Sequence, residues 1–168
     1  MARRTLLFAA VAVLMTAFAP SVSAQDRPTS AVEGLVGYAG FVDDATISHT
    51  VFGGAAKWYL LPRVSVGPEL VYMIGPGDDR DLVVTGNVTF DFLAGRPAAT
   101  PFLVAGGGLF RHTDRFNGRS FSSTEGSFTL GGGVRVALGE RLYIAPEFRL
   151  GWEAHYRVSA AVGWRLGN

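Results

Sequence analysis

The sequence predicts an all-β fold, an eight-stranded antiparallel up-and-down barrel, and three observations carry that prediction. The first is a duplicated hairpin. Arg63-Val64-Ser65-Val66-Gly67-Pro68-Glu69-Leu70 and Arg141-Leu142-Tyr143-Ile144-Ala145-Pro146-Glu147-Phe148 match without a gap, 78 positions apart. The match continues upstream, where Phe52-Gly53-Gly54-Ala55-Ala56-Lys57 aligns with Leu130-Gly131-Gly132-Gly133-Val134-Arg135 at the same offset. A chain that repeats a two-stranded unit is most simply a closed sheet. The second observation is period-two alternation along the chain, with no helical periodicity longer than a turn or two. The third is that connections alternate in size, short on one side and longer on the other, as an up-and-down sheet requires.

The first residues stand apart from the sheet. Arg3 and Arg4 precede an apolar run from Leu6 to Phe18, followed by Pro20 and the small-residue pattern Val22-Ser23-Ala24. This reads as a cleaved signal peptide over 1–24, leaving a single domain over 25–168. The apolar run is shorter than the ~20 residues a spanning helix needs, which disfavours a helical membrane anchor.

The strands then follow at 31–42, 49–61, 64–75, 81–93, 101–112, 127–138, 142–153 and 156–166. Most run to about ten residues or more, close to what a tilted strand needs to cross a bilayer. In strand three, Val64, Val66, Pro68, Leu70 and Tyr72 oppose Ser65, Gly67, Glu69, Val71 and Met73. In strand six, Leu130, Val134, Val136 and Leu138 oppose Thr129, Gly131, Gly133, Arg135 and Ala137. Strand eight places Val158, Ala160, Val162, Trp164 and Leu166 on one face. The opposing face is mostly Gly, Ala and Ser with an occasional charge, unlike a water-facing exterior. It suits a narrow lumen filled by its own side chains.

The aromatics divide into two levels. Trp58, Phe90, Phe92, Phe102 and Trp164 fall near one rim, and Tyr38, Tyr72, Phe110, Phe128, Trp152 and Tyr156 near the other. All are even-numbered and share the apolar face, as membrane-interface belts do. The predicted fold is therefore a transmembrane β-barrel.

Odd-numbered positions carry the inward charges: Glu33, Lys57, Glu69, Asp91, Arg111, Arg135, Glu147, Arg149, Glu153, Arg157 and Arg165. The two signs nearly balance, which favours a lumen closed by ion pairs over a selective pore. Lys57 precedes Glu69, and Arg135 precedes Glu147, by the same spacing across a short turn. The expected lumen pairs are Lys57 with Glu69 and Arg135 with Glu147, with Glu69 to Arg135 as the alternative.

Composition excludes several functions. The chain has no Cys, so it has no disulfide, thiolate metal site or catalytic thiol. It has one Lys and a formal net charge of +1, so no nucleic-acid partner is expected.

With these features, residues 32–166 resemble the small outer-membrane β-barrels of the OmpA and OmpX type. The resemblance implies a monomer in the cell outer membrane, in contact with outer-membrane lipid and lipopolysaccharide and inserted by the outer-membrane assembly machinery. It also implies an aromatic last residue, whereas this chain ends Trp164-Arg165-Leu166-Gly167-Asn168.

Three histidines, His49, His112 and His155, fall near one rim. Small barrel enzymes act on lipid with a His, Ser and acidic set, and His112, Asp114 and Ser120 form the best such set here. No Ser follows a His at the spacing of known deacylases, so no catalytic residue is expected. Three His at one end could also bind a metal, but polar residues at strand ends are the simpler reading, so no metal or cofactor site is expected. The segment 113–126 reads as a long surface loop. Its Arg115, Phe116, Arg119 and Phe121 are candidate partner contacts, and Arg111, Arg115 and Arg119 candidate contacts for lipopolysaccharide phosphates. The expected function is a structural or surface-interaction barrel. The alternatives are a lipid-modifying enzyme resembling lipid A deacylases and a soluble periplasmic barrel that binds an apolar ligand.

Overall fold

Strands that are apolar on one face cannot leave their edge N–H and C=O groups unpaired in an apolar medium, and closing the sheet removes the edges. A computed structural model describes residues 30–42, 46–95, 97–116, 119–152 and 154–166. The expected signal peptide and Glu153 lie outside them. The described residues form eight strands: β1 (Ser30–Val42), β2 (Thr46–Leu61), β3 (Val64–Ile74), β4 (Arg80–Asp91), β5 (Ala99–Phe116), β6 (Arg119–Ala137), β7 (Leu142–Gly151) and β8 (His155–Leu166). Each pairs antiparallel with its neighbour in sequence, and β8 pairs with β1 to close the barrel. The lower end carries Ser30, Leu166 and the turns after β2, β4 and β6. The upper end carries the other connections.

Register decides which side chains enter the lumen, because directly paired residues point to the same side of a sheet. At most junctions odd positions pair with odd, as Glu33 does with Ala55 and Glu147 with Ser159. On both sides of β5 the parity changes: Asp91 pairs with Phe102, and Gly108 with Ser127. β5 therefore turns its even-numbered residues inward. This corrects the expected faces of four residues. Phe102 and Phe110 are buried in the lumen instead of joining the belts. Paired with the buried Asp81, His112 also faces inward, while Arg111 faces outward. A uniform parity drawn from the other strands could not reveal an odd-length shift in the hairpins flanking β5.

The remaining belt aromatics stay outside. Tyr38, Tyr72, Phe128 and Trp152 are exposed toward the upper end, and Trp58, Phe90, Phe92 and Trp164 toward the lower end. Phe52 pairs with Tyr72 and extends the upper belt. Between the belts, Val36, Leu70, Leu109, Leu130 and Val158 are each more than half exposed. The interior instead buries Glu33, Lys57, Glu69, Asp81, Asp91, Arg135, Arg149, Arg157 and Arg165. An apolar outside around a charged inside is the reverse of a soluble ligand-binding barrel, which sets that alternative aside.

The segment expected as a loop is instead strand. β5 and β6 stay paired from Thr113 with Ser122 up to Phe116 with Arg119. The β4 pairing ends at Arg80 with Thr113, and the β7 pairing begins at Thr129 with Gly151, so this hairpin stands clear of the barrel wall. Its Thr and Phe residues favour strand, and Asn117-Gly118, between the paired Phe116 and Arg119, is a strong hairpin dipeptide in sequence.

Candidate functional site at the lumen and its upper mouth

The inward side chains form three layers. In the lower layer, Lys57 Nζ donates to Glu33 Oε1 at 2.7 Å, and Tyr143 OH donates to the same oxygen at 2.6 Å. Arg135 Nη1 and Tyr59 OH donate to Asp91 Oδ2 at 2.8 and 3.0 Å. Phe102 packs against two cations, 5.5 Å from Lys57 Nζ and 5.2 Å from the Arg135 guanidinium. The Tyr143 ring in turn lies 5.3 Å from Arg135 and 5.1 Å from Arg165. Stacked cations and rings of this kind fill space while solvating charge. Tyr143 has room because its direct partner across the sheet is Gly163, where any Cβ would overlap the ring.

The middle layer is a ring of two carboxylates and two guanidinium groups. Glu69 accepts from Arg149 Nη2 at 2.9 Å and from Arg157 Nη1 at 3.0 Å. Glu147 accepts from Arg149 Nε and from Arg157 Nη2, the latter at 3.0 Å. Arg149 Nη1 also reaches Asn87 Oδ1 at 3.3 Å. All four charged side chains are at most one-tenth exposed.

The four residues expected to form lumen pairs all take part in these networks, with other partners. Lys57 pairs with Glu33 instead of Glu69, and Arg135 with Asp91 instead of Glu147. The expectation used only the diagonal geometry of a single hairpin. Strands in a closed barrel are tilted, and an eight-stranded lumen is about as wide as its side chains are long. Residues 80 positions apart, Glu69 and Arg149, thus meet across it as easily as neighbours do.

The upper layer gathers His49 from β2, Asp79 from the turn before β4, Asp81 from β4 and His112 from β5. His49 Nε2 lies 2.9 Å from Asp79 Oδ2 and 3.2 Å from Asp81 Oδ2. His112 Nδ1 lies 2.7 Å from Asp81 Oδ1 and 3.5 Å from Asp79 Oδ1. The Phe41 ring packs edge-on against His49 at 4.9 Å. His155 Nδ1 donates to the carbonyl of Trp152 at 2.8 Å. The sequence signal for Asp81 was present, since β4 parity places it on the same face as Asp91. Asp79 lies in a turn, where periodicity carries no information.

Of the best His, Ser and acidic set in the sequence, Ser120 falls away from the other two. Within the β5–β6 hairpin, His112 pairs with Ser123 and Asp114 with Phe121, whereas Ser120 pairs with Arg115. Alternation therefore puts Ser120 on the opposite face from His112 and Asp114. Of the candidate contact residues, Arg119 and Phe121 are exposed on the projecting hairpin. The side chains of Arg115 and Phe116 lie outside the described set. Arg111 faces outward with Tyr72, Leu82, Arg80 and Thr113 around an open recess at the upper rim.

No protein-family profile matches the chain, and no curated protein matches its sequence. Among solved structures, it is similar to Neisserial surface protein A, with a TM-score of 0.74 at 13% identity over 82% of this chain and 97% of that one. The N-terminal β-barrel domain of Pseudomonas aeruginosa OprF gives a TM-score of 0.66 at 14% identity, over 84% of this chain and 100% of that one. The outer membrane enzyme PagL gives 0.54 at 14% identity, over 81% of this chain and 99% of that one. The chain therefore has the fold of the small transmembrane barrels of the OmpA and OmpX type.

Proposed function

We propose that the protein is a non-enzymatic outer-membrane barrel, exported by residues 1–24, with a structural or surface-interaction role at the cell surface. One observation carries this reading: two buried layers of paired side chains, with a partly exposed cluster above them, occupy the lumen, while the longest hairpin projects from the upper end. A filled lumen leaves the barrel as a scaffold, and the projecting hairpin is its natural contact element. With the upper end extracellular, Arg119 and Phe121 face the medium. Arg80 and Arg111 then stand beside the upper aromatic belt, where lipopolysaccharide phosphates lie, and Arg suits phosphate recognition. The barrel acts as a monomer inserted by the outer-membrane assembly machinery.

Three measurements on the mature chain test this. Detergent-folded protein should migrate differently before and after boiling. In planar bilayers it should produce no stable conductance, and steady open channels would overturn the closed lumen. Lipid A from cells expressing it should keep its mass, whereas a mass shift abolished by His112→Ala would establish the enzyme instead.

A further inference from the structure

We propose that the upper mouth of the barrel binds one divalent first-row transition-metal ion of the zinc class through His49 Nε2, Asp79 Oδ2 and Asp81 Oδ2, with His112 as the residue that orients the two carboxylates.

The donor geometry comes first. The three donor atoms lie within 4.8 Å of one another. The imidazole nitrogen stands 2.9 and 3.2 Å from the two carboxylate oxygens. A tetrahedral ion with bonds of about 2.0–2.1 Å separates its ligand atoms by about 3.3 Å. Both imidazole-to-carboxylate separations thus lie within about half an ångström of that value. An imidazole with two carboxylates suits zinc-class ions better than calcium or magnesium, which take oxygen donors alone.

The orienting shell is also in place. His112 Nδ1 addresses the Oδ1 atoms of both carboxylates, at 2.7 Å for Asp81 and 3.5 Å for Asp79, which leaves their Oδ2 atoms turned toward His49. Ligating carboxylates are commonly held in this way by an outer partner. Phe41 packs against the His49 ring and holds its plane. The Asp79 backbone is pinned by its carbonyl, which accepts from Gly75 N at 3.0 Å and Arg80 Nη1 at 2.6 Å.

Two further observations point to a ligand. Asp79 Oδ1 is buried and makes no hydrogen bond, its contact with His112 Nδ1 being a long 3.5 Å, although a buried carboxylate oxygen ordinarily has a partner. At Gly75 a Cβ would come within 2.5 Å of His49 Nε2 and 2.6 Å of Asp79 Oδ2, so the absence of a side chain there is what lets the two donors converge against the backbone. His112 is 43% exposed, so the site opens to the upper mouth, where a fourth position can take water or an outside group.

The test uses the full mature barrel without a histidine tag, folded in detergent and stripped with a chelator. Equilibrium dialysis against Zn2+ should load one ion per chain. Asp79→Asn and His49→Ala should each weaken binding at least about tenfold, and His112→Gln should weaken it about tenfold while keeping the stoichiometry. Asp79 lies in a turn, so its variant should keep the heat-modifiable migration of a folded barrel. Co2+ should give the intense visible absorption of a four-coordinate ion. The proposal is overturned if the wild-type barrel takes up no stoichiometric zinc, if Asp79→Asn binds as tightly, or if Co2+ shows only the pale spectrum of its aquo ion.

Discussion

Glu69 shares with Glu147 the largest load of interior charge. It holds Arg149 and Arg157 at once, from strands that lie far away in sequence. Removing a buried charge strands its partners, so Glu69→Gln should lower the unfolding free energy in urea and detergent by about 3–5 kcal/mol. Lys57→Met should cost less, because Glu33 keeps the Tyr143 hydroxyl as a donor. If the two variants unfold alike, the middle ring has no special standing. Gly163 tests packing instead of charge. Gly163→Val would drive a branched side chain into the Tyr143 ring and should destabilise by about 1–3 kcal/mol, whereas Gly34→Val, where a Cβ meets nothing within 4 Å, should not. The inward identity of Glu69, Lys57, Arg135 and Glu147 was legible from alternation alone. Their partners were not, because a partner across the lumen has no fixed spacing in sequence.

At the scale of elements, the β5–β6 hairpin separates what the barrel needs from what it carries. From Asp114 to Ser127 the described residues of this hairpin make no ladder pairs with β4 or β7, so that part of it is not needed to close the barrel. Replacing residues 114–125 by a short turn should therefore leave heat-modifiable migration intact and shift stability by less than about 1 kcal/mol. Loss of folding in that variant would show the hairpin to be structural. The same hairpin was the element least legible in sequence. Its polar residues read as loop because exposed strand lacks the apolar alternation that marks a half-buried one. The Asn117-Gly118 dipeptide was the available signal. Reversed parity of β5 has the same character, since register is a property of two strands and a turn, not of one strand.

For the whole molecule the governing fact is which solvent each face meets. Leu70 sits outward, between Gly54 and Val84 on the neighbouring strands, and is half exposed. Leu70→Arg should cost about 2–4 kcal/mol in a bilayer-folded barrel, while a Lys or Arg at an upper loop position should cost little. Equal effects at the two depths would contradict the membrane band. What the sequence determined by itself was the class of structure: the number of strands, the apolar face, the charged face and the two aromatic levels. Those follow from period-two patterning, which each strand states locally and the duplicated hairpin states twice. What only the tertiary structure decided was which inward groups meet. The Glu69 and Glu147 ring, the packing of Phe102 against Lys57 and Arg135, and the grouping of His49 with Asp79, Asp81 and His112 all arise when tilted strands close on a lumen one side chain wide. Closure brings distant positions within a few ångströms, and no spacing along the chain encodes that distance.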